Sequence, residues 1–475
     1  MTETPAGKPG RGLGVADASL IVVGNIVGAG IFLVSPYVAQ GVRSPFAFLC
    51  VWALGGAVAL AGALTNGELG GLFPRSGGEY VYLREAYGPA FGFLSGWTSF
   101  WIGFPGSIAA LASGFGTTMA AMCGQARPST ATGIGVAAIV LLTLVNATGM
   151  QSGKWMQNVL SATKLAAFAV LLTLGVFVAR AGTPGSAGFL REGLFASGDR
   201  LMPFAGALVP VMFAYTGWNA ATYVAGEMRD PARGLGRALA IGTALCVALY
   251  VAINVVYLRA MPLADLAAST DPARAAAAIL GGAPAAALLS PLVAVCVCSS
   301  LHATMLVGPS IYQAMARDRL FFAPFGRLHP RTGVPIVGLL AQSAVAIAQL
   351  ISGSFDQLLT FTMFAIVSFS ALTVAAVFVL RIRRPDLPRP FRVPGYPWAP
   401  ALFVIVSGWV LWSIVARGGR EALIGLAIVG SGVPACMWNV AQACRRSCHR
   451  KLAMPARLRA LFHAVLFTHR IGLPQ

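Results

Sequence analysis

The sequence predicts an all-α membrane protein of twelve transmembrane helices, and three observations predict it. Of the 475 residues, 57% are hydrophobic and only 10% charged, a balance outside that of soluble globular domains. Apolar runs long enough to cross about 30 Å of hydrocarbon recur along the whole chain. The connections between them are mostly short.

In order, the spans read as 15–38, 45–70, 89–122, 131–149, 156–179, 202–226, 238–258, 284–313, 334–352, 357–380, 398–416 and 421–443. Longer connections fall near 180–201, 259–283, 314–333 and 381–397, which leaves no room for a separate soluble domain. The expected organisation is a polar N-terminal tail (1–14), one membrane domain (15–443) and a basic C-terminal tail (444–475). The first apolar stretch is long, broken by glycine and without a small-residue cleavage site, so it reads as a retained span rather than a signal peptide.

The net charge of +19 is distributed as a topological signal. Placing the N-terminus in the cytoplasm puts most of the Lys and Arg on that side, among them Arg229, Arg233, Arg237, Arg317, Arg319, Arg381, Arg383 and Arg384. Both termini are therefore expected inside, in a multi-pass protein of the cell (inner) membrane with the lipid bilayer as its surroundings. No nucleic-acid partner is implied. Eight cysteines at scattered positions give neither a disulfide framework nor metal spacing. Cys123, in an outer loop, reads as a small helix-end residue more readily than as a link to a partner, and no obligatory protein partner is evident. Five scattered histidines supply no catalytic constellation, so neither an enzyme nor a bound cofactor is expected.

Spans 1 and 6 are broken in corresponding positions. The first carries Gly24-Asn25-Ile26-Val27-Gly28-Ala29-Gly30-Ile31-Phe32 and the sixth Phe213-Ala214-Tyr215-Thr216-Gly217-Trp218-Asn219. Unwound backbone at membrane depth persists only where it lines a cavity, and a paired interruption points to a transporter's binding site. Gly24 and Gly28 also make a GxxxG pattern that would serve close helix packing; the matching break in span 6 favours a site. Five crossings separate the two, so they run antiparallel, as in an inverted repeat. Topology alone carries that inference, because 15–180 and 202–380 show no clear residue-by-residue self-similarity.

The breaks expose opposite helix ends. Near Gly30 the outer half of span 1 begins with amide groups that lack intrahelical partners, which favours an anion such as a carboxylate. Near Phe213 to Tyr215 the outer half of span 6 ends on free carbonyls, which favours a cation such as an ammonium. Together these describe the two ends of an α-amino acid. Ile26, Gly28, Ala29 and Gly30 on one side, and Phe213, Ala214, Tyr215, Thr216, Gly217 and Asn219 on the other, are the expected substrate-binding residues, with Trp218 beside them.

Lys164 lies well inside span 5, where a charged amine is costly unless it meets polar groups, and is the expected coupling residue. It either exchanges a proton during transport or stays as a fixed cation beside the carbonyl ends of broken span 1; snorkelling to the inner surface is the bland reading. Glu68 near the inner end of span 2 reads as a packing carboxylate more readily than as a proton carrier. His302 reaches the cavity or is a hydrogen-bonded core histidine. Glu227, Arg229 and Asp230 close span 6 as a gate or as interfacial anchors. The tail from Arg445 to Gln475 places Leu458, Leu461, Phe462, Val465 and Leu466 on one helix face, which suits the inner leaflet if it is ordered.

Several stretches together resemble the amino acid, polyamine and organocation (APC) transporter superfamily. These are Gly28-Ala29-Gly30-Ile31-Phe32, Pro74-Arg75-Ser76-Gly77-Gly78-Glu79-Tyr80, Phe213 to Asn219, Gly226-Glu227-Met228-Arg229-Asp230-Pro231, Ala316-Arg317-Asp318 and Arg384 to Arg392. The resemblance runs from about residue 12 to 443 and implies the LeuT-type fold: a 5+5 inverted repeat with helices 1 and 6 unwound, followed by helices 11 and 12. The form at 213–218 is closer to L-type exchangers and their bacterial relatives, in which Phe213 would close over substrate. Lys164 resembles the lysine whose ammonium takes the place of a sodium ion, which implies sodium independence. Ala29 stands where serine is common and removes one hydroxyl.

The expected function is a sodium-independent amino-acid permease using alternating access, for neutral substrates by exchange or proton symport. The alternative is a polyamine or cationic amino-acid antiporter, which would need a cavity carboxylate; Glu68 is the only, and poor, candidate. A channel would need a repeated polar lining. A transporter-like nutrient sensor would need a soluble signalling domain.

Overall fold

The computed structural model describes residues 13–28, 30–75, 77–125, 127–178, 201–416 and 423–437. Ala29, Ser76 and both expected tails, apart from Leu13 and Gly14, lie outside the described residues. Among those described, the protein is all-helical, with one isolated backbone bridge between Leu13 and Met228.

The helices are α1 (Val15–Ile26), α2 (Gly30–Gln40), α3 (Pro45–Leu72), α4 (Glu79–Tyr87), α5 (Pro89–Thr98) and, after a π turn at Ser99–Gly103, α6 (Phe104–Met122). Then follow α7 (Pro128–Thr148), α8 (Met150–Val178), α9 (Leu201–Ala214), a 3-10 segment at Ala220–Glu227, α10 (Pro231–Ala260) and α11 (Leu263–Ala268). The last are α12 (Pro272–Arg317), α13 (Ile336–Ser352), α14 (Phe355–Arg383), α15 (Trp398–Ala416) and α16 (Leu423–Met437). Helix lies in each of the expected spans. Among the described residues, six helices are individually long and apolar enough to cross a membrane, and α1 with α2, bent by 50° at their break, would make a seventh.

Local chemistry sets the starts. Ser44, Asp230 and Asp271 each accept a hydrogen bond from a backbone N–H three residues on and precede a proline at the first helical position. That pairing satisfies an orphan amide and places proline where its missing N–H costs nothing. Ser354 and Gln357 form a reciprocal capping box at α14. The 259–283 region, expected as a loop, is largely helical: the Asp271 cap launches α12 early, and Gly282 (φ 73°) interrupts it before the membrane portion.

Contact is most extensive between α3 and α10 and between α8 and α12. Gly67 of α3 makes the first approach possible: a Cβ there would stand 2.6 Å from Gly236 Cα. α3 and α14 are central, whereas α7 leaves Leu141 (62% exposed) and Leu144 (60%) outward. Such a row of large apolar side chains suits contact with lipid.

Candidate substrate site

α1 ends at Ile26 and α2 starts at Gly30, while α9 ends at Ala214 and the chain turns through 215–219 before the 3-10 segment. The two breaks are in direct contact. A Cβ on Gly30 would lie 2.4 Å from Ala214 Cα, and one on Gly28 would lie 2.0 Å from Ser300 Oγ of α12. Gly217 has φ +100° and abuts Asn25, so the turn needs glycine for its conformation as well as its size.

A cavity of about 160 Å³ lies at this junction, room for on the order of ten waters and hence for a small ligand. Ile26, Gly28 and Gly30 line it from the first break; Phe213, Ala214, Thr216, Gly217 and Asn219 line it from the second, with Trp218 beside them. Ala29 falls outside the described residues. Tyr215 turns away: its ring packs on Trp52 and Tyr250, and its hydroxyl donates to the Trp52 carbonyl at 3.4 Å. Thr216 Oγ1 donates to the Phe213 carbonyl at 2.7 Å, satisfying one of the freed acceptors of α9.

Lys164 is buried (1% exposed) and does not line the cavity. Its Nζ donates to the Gly24 carbonyl at 3.0 Å, in the last turn of α1. An ammonium at a helix C-terminus is favourably placed against the dipole. The expected position beside the carbonyl ends of broken span 1 is thus where the side chain lies.

Tyr250 of α10, which sequence reasoning missed, bridges the breaks. Its hydroxyl lies 2.5 Å from the Ile26 carbonyl and 3.3 Å from that of Ala214, the last residues of α1 and α9. Nothing local distinguishes this tyrosine; only its reach to both helix ends does.

Glu68 is fully buried, and its carboxylate takes Arg381 Nε at 2.9 Å and a second Arg381 nitrogen at 2.7 Å. Arg389 lies at 3.4 Å, and the Val393 amide donates to it at 2.8 Å. This is the packing carboxylate of the two readings. His302 is buried and is not part of the cavity lining. Asp230 caps α10, the Arg229 amide donates to the Leu13 carbonyl at 3.1 Å, and the Glu227 side chain is outside the described set.

A cavity carboxylate does exist, from outside the broken spans. Glu79, the first residue of α4, lines the cavity; its Oε1 accepts from Asn219 Nδ2 at 3.1 Å and Ser370 Oγ at 3.0 Å. Burial pushes this carboxyl up to about 7, outweighing the two hydrogen bonds that favour the ionised form. Gly77 and Gly78 (φ 133° and 54°) turn the chain to deliver it. The available sequence signal was a Gly-Gly pair followed by an acid just after a span. Thr98 and Ser99, at the π turn, also line the cavity; such turns often occur at functional sites.

At the other face a second cavity includes Tyr37, Gln40 and Asp356. There the Tyr37 and Phe355 rings meet, with centroids 5.5 Å apart.

Residues 13–431 match the family described as "Amino acid permease". The chain is 31% identical to the serine/threonine exchanger SteT of Bacillus subtilis (strain 168) over 422 residues, covering 87% of this chain and 94% of that one. It is 29% identical over 429 residues to the mouse b(0,+)-type amino acid transporter 1, covering 89% and 86%. It is 30% identical over 435 residues to the human large neutral amino acids transporter small subunit 2, covering 89% and 79%. With its apolar spans and glycine-broken helices, the chain is a multi-pass membrane protein, not an enzyme, and belongs to the amino acid permease family of the APC superfamily.

Proposed function

We propose that this chain is a sodium-independent permease for neutral amino acids, working by alternating access through exchange or proton symport. The observation that carries the reading is the meeting of opposite helix ends on one cavity: α2 begins at Gly30 and α9 ends at Ala214, each lining it. A substrate carboxylate suits the first end and its ammonium the second. The Lys164 ammonium on the Gly24 carbonyl offers a fixed cation beside the first break, which supports independence from sodium.

The twelve-span, 5+5 arrangement is part of this reading. Packing between the halves recurs with the halves exchanged, α3 with α9 alongside α10 with α1, and α8 with α12 alongside α14 with α6, which supports two repeats related by a two-fold axis. The arginine-rich face is assigned to the cytoplasm of a cell membrane on the positive-inside rule. The cavity at the breaks extends toward α4, and the second cavity lies at the opposite face beside Tyr37.

Glu79 gives a specific reason to keep the second reading, a cationic amino-acid or polyamine carrier, because it supplies the carboxylate such a carrier needs. Uptake into proteoliposomes with a panel of labelled neutral and cationic amino acids and polyamines separates the two. Neutral substrates are expected to be taken up faster, with no requirement for sodium; preferential uptake of cations would favour the second reading, and no movement of any of them would overturn both.

A further inference from the structure

We propose that Glu79 is a proton-binding site of the permeation pathway, whose protonation loosens a three-way tie at the cytoplasmic arm of the cavity and so makes transport pH-dependent. This rests on the permease reading above. Apart from Glu79, the described lining holds no Asp, Lys, Arg or His, so it alone can present a carboxylate to the ligand space. Both hydrogen bonds converge on Oε1, one from the second break through Asn219 and one from α14 through Ser370. A single oxygen thus ties α4, the broken segment and α14 together, and neither bond uses Oε2.

The tie depends on charge. Hydrogen bonds to an ionised acceptor are roughly twice as strong as neutral ones, so the carboxylate holds the three elements and the neutral acid holds them less well. The change is a reversible addition of one proton to the carboxylate, with no other reactant. The ionisable groups around it are the phenols of Tyr82 on its own helix and Tyr223 on the 3-10 segment. Nearby charges on α4 are engaged elsewhere: Arg84 pairs with Asp318, and Glu85 with Arg384. Lys164, by contrast, is sealed from this space and spent on a backbone carbonyl.

The test uses the full chain in proteoliposomes carrying a trapped pH-sensitive dye, with exchange and net uptake of a transported amino acid followed from about pH 5.5 to 8.5, a range that brackets the Glu79 value. The wild-type rate is expected to change at least about tenfold across this range, because three pH units around a midpoint near 7 swing the protonated fraction of one site by more than that, and Glu79→Gln to flatten the profile to within about twofold. Ser370→Ala removes a donor to the ionised form and moves the midpoint to higher pH, which a merely structural role would not do. A Glu79→Gln profile that matches wild type overturns the proposal.

Infrared difference spectra of the purified protein provide a readout that needs no transport. A protonated-carboxyl band that titrates near neutrality should be present in wild type and absent in Glu79→Gln. If no amino acid moves but the band behaves in this way, the permease reading fails while the proton site stands; if the band is unchanged by the substitution, the proton site fails. Glu79→Asp, which keeps a carboxyl, retains a pH-dependent rate with a displaced midpoint, and loss of that dependence counts against the proposal.

Discussion

Glu68, fully buried, and Glu79, half-buried on the cavity, are acids at one end of the helical assembly, and they are compensated in opposite ways. Glu68 is surrounded by two guanidinium groups and a backbone amide. Among the described residues, Glu79 has the neutral donors Asn219 and Ser370 and no counter-charge. A buried charge met by full counter-charge is locked in place, whereas one met by neutral dipoles stays close to losing its charge. The first arrangement ties α3 to the end of α14 and the connection after it, and the second leaves a titratable group on the cavity between the breaks.

The largest expected effect comes from stripping Glu68 of its counter-charge. Arg381→Leu leaves a buried carboxylate with inadequate compensation and should cost about 3–5 kcal/mol, read as a large fall in melting temperature of the detergent-solubilised protein. If the loss were small, Glu68 would not be held as its geometry implies.

Next is the pH dependence of stability at Glu79. Its folded value of about 7 lies above the ordinary 4.5, so between these the folded state binds more protons than the unfolded one. This group's contribution is fully present below about pH 4.5 and is lost as pH rises through about 7, amounting to about 3 kcal/mol. Glu79→Gln should abolish that slope and melt at least as high as wild type at pH 8. A pH-independent difference between the two proteins would break the contrast with Glu68.

Lys164→Ala removes the ammonium from the Gly24 carbonyl. The expected loss is about 1.5–3 kcal/mol in stability, as for a hydrogen bond to a charged group, together with slower transport. Because this ammonium is sealed away from the cavity, the pH midpoint set by Glu79 should stay in place; a midpoint that moved with Lys164 would transfer the titration to the lysine. The smallest effect belongs to Ser370→Ala, about 0.5–1.5 kcal/mol for one hydrogen bond, seen best as the upward midpoint shift rather than in melting.

Much of the site was legible from the chain because helix breaking is a local property. Gly28, Gly30 and Gly217 mark where backbone cannot continue or must approach closely, and the described breaks fall there. Lys164 was legible because an amine inside an apolar run is conspicuous. Tyr215 shows the limit: its position in the motif is shared with its cavity-lining neighbours, yet its ring points into a packed aromatic group. Glu79 was hidden by its location outside any broken span, and Tyr250 by its ordinary setting within an apolar helix.

By itself the sequence determined the membrane class, the location of the breaks and the depth of Lys164, since hydrophobicity, glycine content and capping act over a few residues. Tertiary structure decided which acid meets counter-charge and which faces the cavity. The partners of Glu68 and Glu79 lie about 300 residues away, at Arg381 and Ser370, and no local pattern encodes which of two carboxylates an arginine that distant will reach. The charge state of the cavity follows from helix packing, because the packing chooses the neighbours that set the energy of each ion.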